Sequence, residues 1–310
     1  MKPNMRVSFC GLELVSPVIA ASGTFGYGCE FEDIVDFKKI GGFVTKGISP
    51  EPMAGNQAPR LIETAAGMIN AIGLQNVGVE KFIAEKLPPL RKYPSCAVIV
   101  NVFGSTIEDY VTVIGRLNDA EGIAAYELNA SCPNTKHGGI AFGSDPESLF
   151  DLVSRARSRA TRPLIVKLSP NVTSIAPLAQ TAQRAGADAI SLVNTFLALS
   201  IDTETRRPRL SNITGGLSGP AIKPIAVRMV WEAAKAVQIP ILGLGGIVTP
   251  EDAVEFLLAG ATAVQIGTAS YADPRATERI AVELEQWCAR HHVARVADLT
   301  GAIETTPVAR

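Results

Sequence analysis

The sequence predicts an α/β protein in which eight parallel strands close into a (β/α)8 TIM barrel, with an N-terminal hairpin and loops inserted at the catalytic end. Three observations carry that reading. Short apolar runs alternate with helix-like segments, the order of a parallel sheet with helical crossovers. Eight such runs can be counted, and a doubly wound open sheet would not need eight. Almost every run ends in lysine, asparagine or a glycine pair, as expected of strands whose carboxyl ends converge on one working face.

Composition agrees with a large buried core. The 310 residues are 47% apolar and 19% charged, with 27 glycines, which excludes a disordered chain. Barrels reach this length as one unit, so residues 1–310 are read as a single domain. A net charge of −1 leaves no electrostatic footprint for nucleic acid or an anionic membrane. No run reaches the ~18 apolar residues of a membrane helix, and Met1-Lys2-Pro3-Asn4 leads directly into strand-like residues, so a cytoplasmic protein is expected. The five cysteines (Cys10, Cys29, Cys96, Cys132, Cys288) are odd in number and scattered, without a C-x-x-C pair. Neither disulfides nor a cysteine-held metal or cluster is expected from them.

In chain order, Arg6-Val7-Ser8-Phe9 and Leu12-Glu13-Leu14 alternate about Cys10-Gly11 and predict a hairpin that plugs one end of the barrel. The first buried strand covers residues 18–21 and ends in Ser22-Gly23-Thr24. The second, 43–45, ends in Lys46; the third, 97–100, ends in Asn101. The fourth, 125–128, opens into Asn129-Ala130-Ser131-Cys132-Pro133-Asn134, which sets amides and a thiol where strand becomes loop. The fifth, 164–166, ends in Lys167, and the sixth, 189–193, in Asn194-Thr195. The seventh, 241–242, runs into Gly243-Leu244-Gly245-Gly246, and the eighth, 263–266, into Gly267-Thr268. Helices are expected at 175–185 and 250–258, the second with proline at its start and Gly260 past its end. Residues 49–94 and 196–223 are too long for simple βα loops and are expected to form lids or substrate walls.

The polar strand ends suggest the chemistry. Gly245-Gly246 and Gly267-Thr268 follow the seventh and eighth strands, where barrels of this type bind phosphate on exposed backbone N–H groups; elsewhere such pairs are ordinary turns. Lys46 and Lys167 either reach solvent or a salt bridge, or meet an anionic cofactor. Asn101, Asn129, Asn134 and Asn194 suit a planar ligand with alternating carbonyl and N–H groups. Cys132 is either a small buried hydrophobe or a reactive thiol acting as base or nucleophile. His137, nearby in sequence, reads as a loop residue and not as its partner.

Several longer motifs carry a family resemblance: Ser22-Gly23-Thr24-Phe25-Gly26-Tyr27-Gly28, residues 67–76 (GMINAIGLQN), 129–134 (NASCPN), 212–224 (NITGGLSGPAIKP), and Gly243-Leu244-Gly245-Gly246-Ile247. Together they resemble class 1 dihydroorotate dehydrogenases, most closely the class 1B catalytic subunit. The resemblance implies FMN in the barrel mouth and oxidation of (S)-dihydroorotate to orotate in pyrimidine (UMP) synthesis. It implies that Ser22, Lys46, Gly47, Asn101, Asn129, Lys167, Val193, Gly219, Gly245, Gly246, Gly267 and Thr268 hold FMN, its phosphate on the two glycine turns. It implies that Lys46, Asn70, Ala71, Ile72, Gly73, Leu74, Asn129, Asn194 and Thr195 hold the substrate. Cys132 would take the C5 proton while the C6 hydride goes to the flavin, and Lys167 would stabilise charge on the reduced flavin. A cysteine at this position separates the chain from the membrane-bound class 2 enzymes, which place serine there.

The class 1B likeness is strongest in residues 137–143 (HGGIAFG) and 212–224. It implies a partner subunit carrying FAD and a [2Fe-2S] cluster that delivers electrons to NAD+, around a homodimer core of a heterotetramer. The chain itself has no dinucleotide fingerprint and no cluster-type cysteines, so it would not reach NAD+ alone. Class 1A homodimers, which use fumarate, share that absence and form the alternative. Other FMN barrels are rivals: the pyrimidine-reducing domain of dihydropyrimidine dehydrogenase accompanies iron-sulfur domains, and tRNA dihydrouridine synthases need a basic RNA face. A non-catalytic binding barrel would not need a thiol, two lysines and four amides at converging strand ends.

Overall fold

A computed structural model describes residues 2–131, 133–134 and 140–305. The chain opens on strands β1 (Val7–Phe9) and β2 (Leu12–Leu14), which pair antiparallel. The reversal uses Cys10 at φ 42° and Gly11 at φ 85°, the left-handed backbone that a two-residue hairpin turn requires. Gly41 presses against the segment after this hairpin, and Cys10 feels the charge of Asp188. Both lie just before barrel strands, so the hairpin covers the amino-terminal end, as expected.

The next strands are β3 (Val18–Ala20), β4 (Gly42–Val44), β5 (Leu61–Thr64), β6 (Gly67–Asn70), β7 (Ala97–Val102) and β8 (Ala125–Asn129). Short strands β9 (Pro133–Asn134) and β10 (Ile140–Ala141) pair with one another. Then come β11 (Leu164–Lys167), β12 (Ala189–Leu192), β13 (Phe196–Leu199), β14 (Ile201–Asp202), β15 (Arg207–Pro208), β16 (Thr214–Ser218), β17 (Ile241–Leu244) and β18 (Ala263–Ile266). Strands β3, β4, β7, β8, β11, β12, β17 and β18 form a closed barrel in that cyclic order. All its pairings are parallel. The eight strands read from the sequence are these eight.

Their interiors are mainly Val, Ile, Leu and Ala, buried on both faces as a helix-covered parallel sheet requires, with a few polar side chains among them. Each large side chain so buried contributes about 1.5–3 kcal/mol. The covering helices include α1 (Val79–Lys81), which continues as helical turns to Lys92, α2 (Ile107–Asn118), α3 (Pro146–Arg159) and α4 (Ala176–Arg184). They continue with α5 (Lys223–Ala234), α6 (Pro250–Leu258), α7 (Ala269–Ala272) and α8 (Ala276–Arg290). Reciprocal capping starts two of them: Thr106 with Asp109 on α2, and Thr249 with Asp252 on α6, where Pro250 supplies the first residue.

Two details differ from the sequence reading, and both bear on the site. Several strands run further than expected, so that Asn101, Asn129 and Lys167 are strand residues held by the barrel ladder rather than loop residues beyond it. The long insertions, expected to form lids or substrate walls with no pairing between them foreseen, are joined: β5 and β6 from the first pair with β16 and β13 from the second in one four-stranded antiparallel sheet. Ile62, Ile69 and Leu210 form its own small core. Gly215 and Gly216 permit the close approach, since a β-carbon on Gly216 would lie 2.0 Å from the Thr195 hydroxyl.

Gly41→Ala would set a β-carbon 2.0 Å from the Ser16 carbonyl oxygen at the hairpin-to-barrel contact. The expected loss is about 1–3 kcal/mol, read as a lower midpoint in urea unfolding. An unchanged midpoint would show that the hairpin end does not hold the barrel.

Candidate active site

A cavity of about 810 Å³ opens at the carboxyl ends of the barrel strands, between them and the antiparallel sheet. The site residues expected from the sequence line it, except Asn134, which is placed on β9, and Cys132, which lies outside the described residues, as does His137. Asn101, Asn129 and Lys167 come from β7, β8 and β11, and Ser22, Lys46 and Gly47 from the loops after β3 and β4. Val193, Gly219, Gly245, Gly246, Gly267 and Thr268 make a second side. Residues 70–74, with Asn194 and Thr195, make the side beneath the antiparallel sheet.

The glycine side is built by backbone contact. Gly219, Gly245 and Gly246 have φ of 97°, 135° and 79°, and a β-carbon on Gly246 would lie 2.6 Å from the Gly219 carbonyl oxygen. Gly267 differs. A β-carbon there would meet only Ala21 at 3.5 Å and Thr24 at 4.0 Å, ordinary contacts, so no protein neighbour demands glycine. Bare backbone at that point leaves room on the cavity side. Across the turn, the Thr268 hydroxyl donates to Ser218 Oγ at 2.8 Å and ties β16 to the barrel.

The amides are held in order. Asn194 Nδ2 donates to Asn129 Oδ1 at 3.1 Å and Ser131 Oγ at 2.9 Å, while Asn194 Oδ1 accepts from the Thr195 N–H at 2.8 Å. Asn171 Nδ2 donates to the Thr195 carbonyl at 3.0 Å and its Oδ1 accepts from the Leu197 N–H at 2.9 Å, which fixes the start of β13. Tyr110 donates to the Asn129 carbonyl at 2.8 Å. On the opposite side Ser22 Oγ donates to the Thr45 carbonyl at 2.7 Å, and the Lys46 N–H to the Gly26 carbonyl at 2.7 Å.

The two lysines have different surroundings. Burial, and next the positive charge of Arg60, hold the Lys46 ammonium below the ordinary lysine range. Lys167 is 7% exposed and has an anion 4.0 Å away, Glu127 Oε1. The salt-bridge alternative for this lysine is therefore realised, although its partner was not foreseen. Glu127 is fully buried and also accepts from Asn101 Nδ2 at 2.8 Å, Gln265 Nε2 at 2.8 Å and Ser191 Oγ at 3.0 Å. Sequence reasoning passed over Glu127 and Gln265. The available signal was a charged and an amide side chain inside otherwise apolar strands.

The described cysteines are poor bases. Burial pushes Cys10 and Cys96 up to about 12, Cys288 to about 11, and Cys29 upward as well. Among the described residues no group of three or more His, Cys, Asp or Glu could hold a metal ion. No helix among them is long and apolar enough to cross a membrane.

Comparison with known proteins bears on this arrangement. Residues 4–287 match the family model described as dihydroorotate dehydrogenase. A Pelobacter propionicus protein named dihydroorotate dehydrogenase B (NAD(+)), catalytic subunit, is 57% identical over 98% of this chain and 100% of its own. A relative of the same name from Geobacter sp. (strain M21) is 53% identical over 98% of this chain and 99% of its own. One from Solibacter usitatus, provisionally named dihydroorotate dehydrogenase A (fumarate), is 58% identical over 98% of this chain and 100% of its own. This chain belongs to the dihydroorotate dehydrogenase family of oxidoreductases.

Proposed function

We propose that this chain, acting in the cytoplasm as one unit over residues 1–310, oxidises (S)-dihydroorotate to orotate in pyrimidine (UMP) synthesis with FMN in the barrel mouth. The observation that carries the reading is the cavity itself. It gathers two lysines, a ring of ordered amides and a bare glycine backbone at the carboxyl ends of the strands, as the family likeness requires. The residues present fit FMN: Gly267 leaves space where a phosphate would approach, Lys46 supplies positive charge for an anionic cofactor, and Lys167, charge-paired with Glu127, keeps its N–H donors for the ring. Ser22, Gly47, Asn101, Asn129, Val193, Gly219, Gly245, Gly246 and Thr268 would complete its contacts. When bound, FMN accepts the hydride that leaves C6 of the substrate.

The chain's own groups do the rest. Asn129 and Asn194, already locked to one another, orient the substrate ring together with Asn70, residues 71–74 and Thr195. Lys46 pairs with the substrate carboxylate, which restores the ammonium that burial and Arg60 disfavour. Cys132 removes the C5 proton as thiolate. In support, Ser131 immediately before it lines the cavity, and every described cysteine is pushed away from that role. The sheet of β5, β6, β13 and β16 excludes water from the reacting atoms.

Electrons then pass to a partner subunit carrying FAD and a [2Fe-2S] cluster, as the class 1B resemblance implies, and from it to NAD+; the B-type relatives, named as NAD(+) enzymes and as catalytic subunits, support a partner and that acceptor. A homodimer core of a heterotetramer is part of this proposal. Leu197, Leu199, Ile201 and Ile213, all exposed along the second insertion, support a covered surface there. The fumarate-named relative favours a second reading, a class 1A enzyme complete without that subunit.

Anaerobic addition of dihydroorotate is expected to bleach the flavin absorbance of the purified yellow protein. Recovery with NAD+ only after the iron-sulfur flavoprotein is added supports the first reading; recovery with fumarate alone supports the second. No bleaching would remove dihydroorotate as substrate.

Cys132→Ser is expected to keep FMN and lose turnover at neutral pH by about 10²-fold or more, a serine hydroxyl being a far weaker base. In the unaltered protein the rate should climb with pH until the thiol is ionised. A flat profile from acid to alkaline pH would remove the thiol from this role.

Lys46→Met removes a cation that the ligand-free fold disfavours. Its folded pKa lies below the unfolded one, so the penalty is full at neutral pH and fades as pH rises from the lowered value towards the unfolded one. The variant should therefore melt at or above the parent temperature near neutral pH, converge with it in alkali, and bind orotate about tenfold or more weakly. Unaltered orotate affinity would contradict the pairing.

A further inference from the structure

Glu127 does not line the cavity, yet three of the four side chains around its carboxylate do. Asn101 from β7, Lys167 from β11 and Gln265 from β18 reach the cavity surface, and Ser191 from β12 stands behind. The two oxygens divide the work. Oε1 accepts from Asn101 and faces the Lys167 ammonium at 4.0 Å; Oε2 accepts from Gln265 and Ser191. The lysine is too far for a hydrogen bond to this carboxylate, so it is paired by charge while its N–H donors stay available to the cavity. Gln265 Oε1 is buried without a partner among the described residues, so this amide is oriented by Glu127 through its N–H side alone.

We infer that Glu127 is a positioning residue for the flavin reaction, setting both the orientation of the cavity floor and the net charge that floor presents to the bound ring. The inference rests on the proposed FMN site. A lone buried Lys167 would make the floor strongly positive. With Glu127 ionised beside it the pair is close to neutral, and the residual field on the ring depends on how firmly the carboxylate is held by neutral donors. Low local dielectric makes that field large compared with the same pair in water. A positive field favours the two-electron-reduced, anionic flavin over the oxidised one, so the carboxylate holds the midpoint potential down.

The test is the midpoint potential of bound FMN in the full-length protein, read spectroscopically against a reference dye at neutral pH, with thermal melting in parallel. Glu127→Gln keeps the shape and one accepting oxygen and removes the charge, the new amide nitrogen donating where the second oxygen accepted. It should raise the reduced-to-oxidised ratio at a fixed potential about tenfold, about 30 mV for a two-electron couple. Ser191→Ala touches nothing in the cavity but removes one donor from the carboxylate, which leaves its negative charge less shared. It should move the ratio the opposite way, by about two- to threefold.

Opposite signs support the inference, because loosened packing has no reason to alternate in sign. Shifts of the same sign, or none in either variant, overturn it. Should Glu127→Gln fail to fold, the downward shift in Ser191→Ala decides alone. An unaltered protein that takes up no FMN at all would instead overturn the flavin reading, a distinct outcome seen before any variant is made.

Discussion

A carboxylate inside a barrel has no water to solvate it, and leaving one unpaired costs several kcal/mol. Glu127 is tolerable because five strands converge on it: its own β8, with β7, β11, β12 and β18 each sending a polar side chain inward. The closed ring of parallel strands is what makes that convergence possible. In an open sheet, side chains from β7 and β18 could not reach one atom pair. The buried charge and the closure of the barrel therefore depend on each other, and the floor of the cavity depends on both.

Above that floor the site is assembled by ordered contacts rather than by many strong ones. Asn194 bridges Asn129 and Ser131, Asn171 ties Thr195 to β13, and Thr268 reaches Ser218 in the covering sheet. Each neutral hydrogen bond is worth only about 0.5–1.5 kcal/mol net, but each also removes a rotamer choice from a group facing the cavity. Preorganisation of this kind lowers the reorganisation that a bound planar ring would otherwise demand.

The covering sheet draws its strands from segments well over a hundred residues apart, so its stability is borrowed from the barrel that holds both ends. Its own core is only Ile62, Ile69 and Leu210 with a few partly buried neighbours. Glycines at 215 and 216 let β16 lie against Thr195 and Leu210, where any side chain would collide. A wall this lightly packed can sit closely over the cavity without becoming part of the main core.

The eight barrel strands were legible in the sequence because each is buried on both faces and reads as a short apolar run. Pro250 and Gly260 likewise marked helix α6. The candidate residues at strand ends were legible too, since lysine, asparagine and glycine interrupt such runs visibly, and longer motifs carried the family likeness. The pairing of the two insertions was not legible: β16 is TGGLS, without alternation, and its partner β6 is far away in the chain. Nor was the setting of Glu127. Local sequence determined which residues are apolar, which are charged and where the chain turns, because those are properties of neighbours. Only the closed tertiary structure decided which distant side chains share one buried carboxylate, because that depends on strand register around the whole ring.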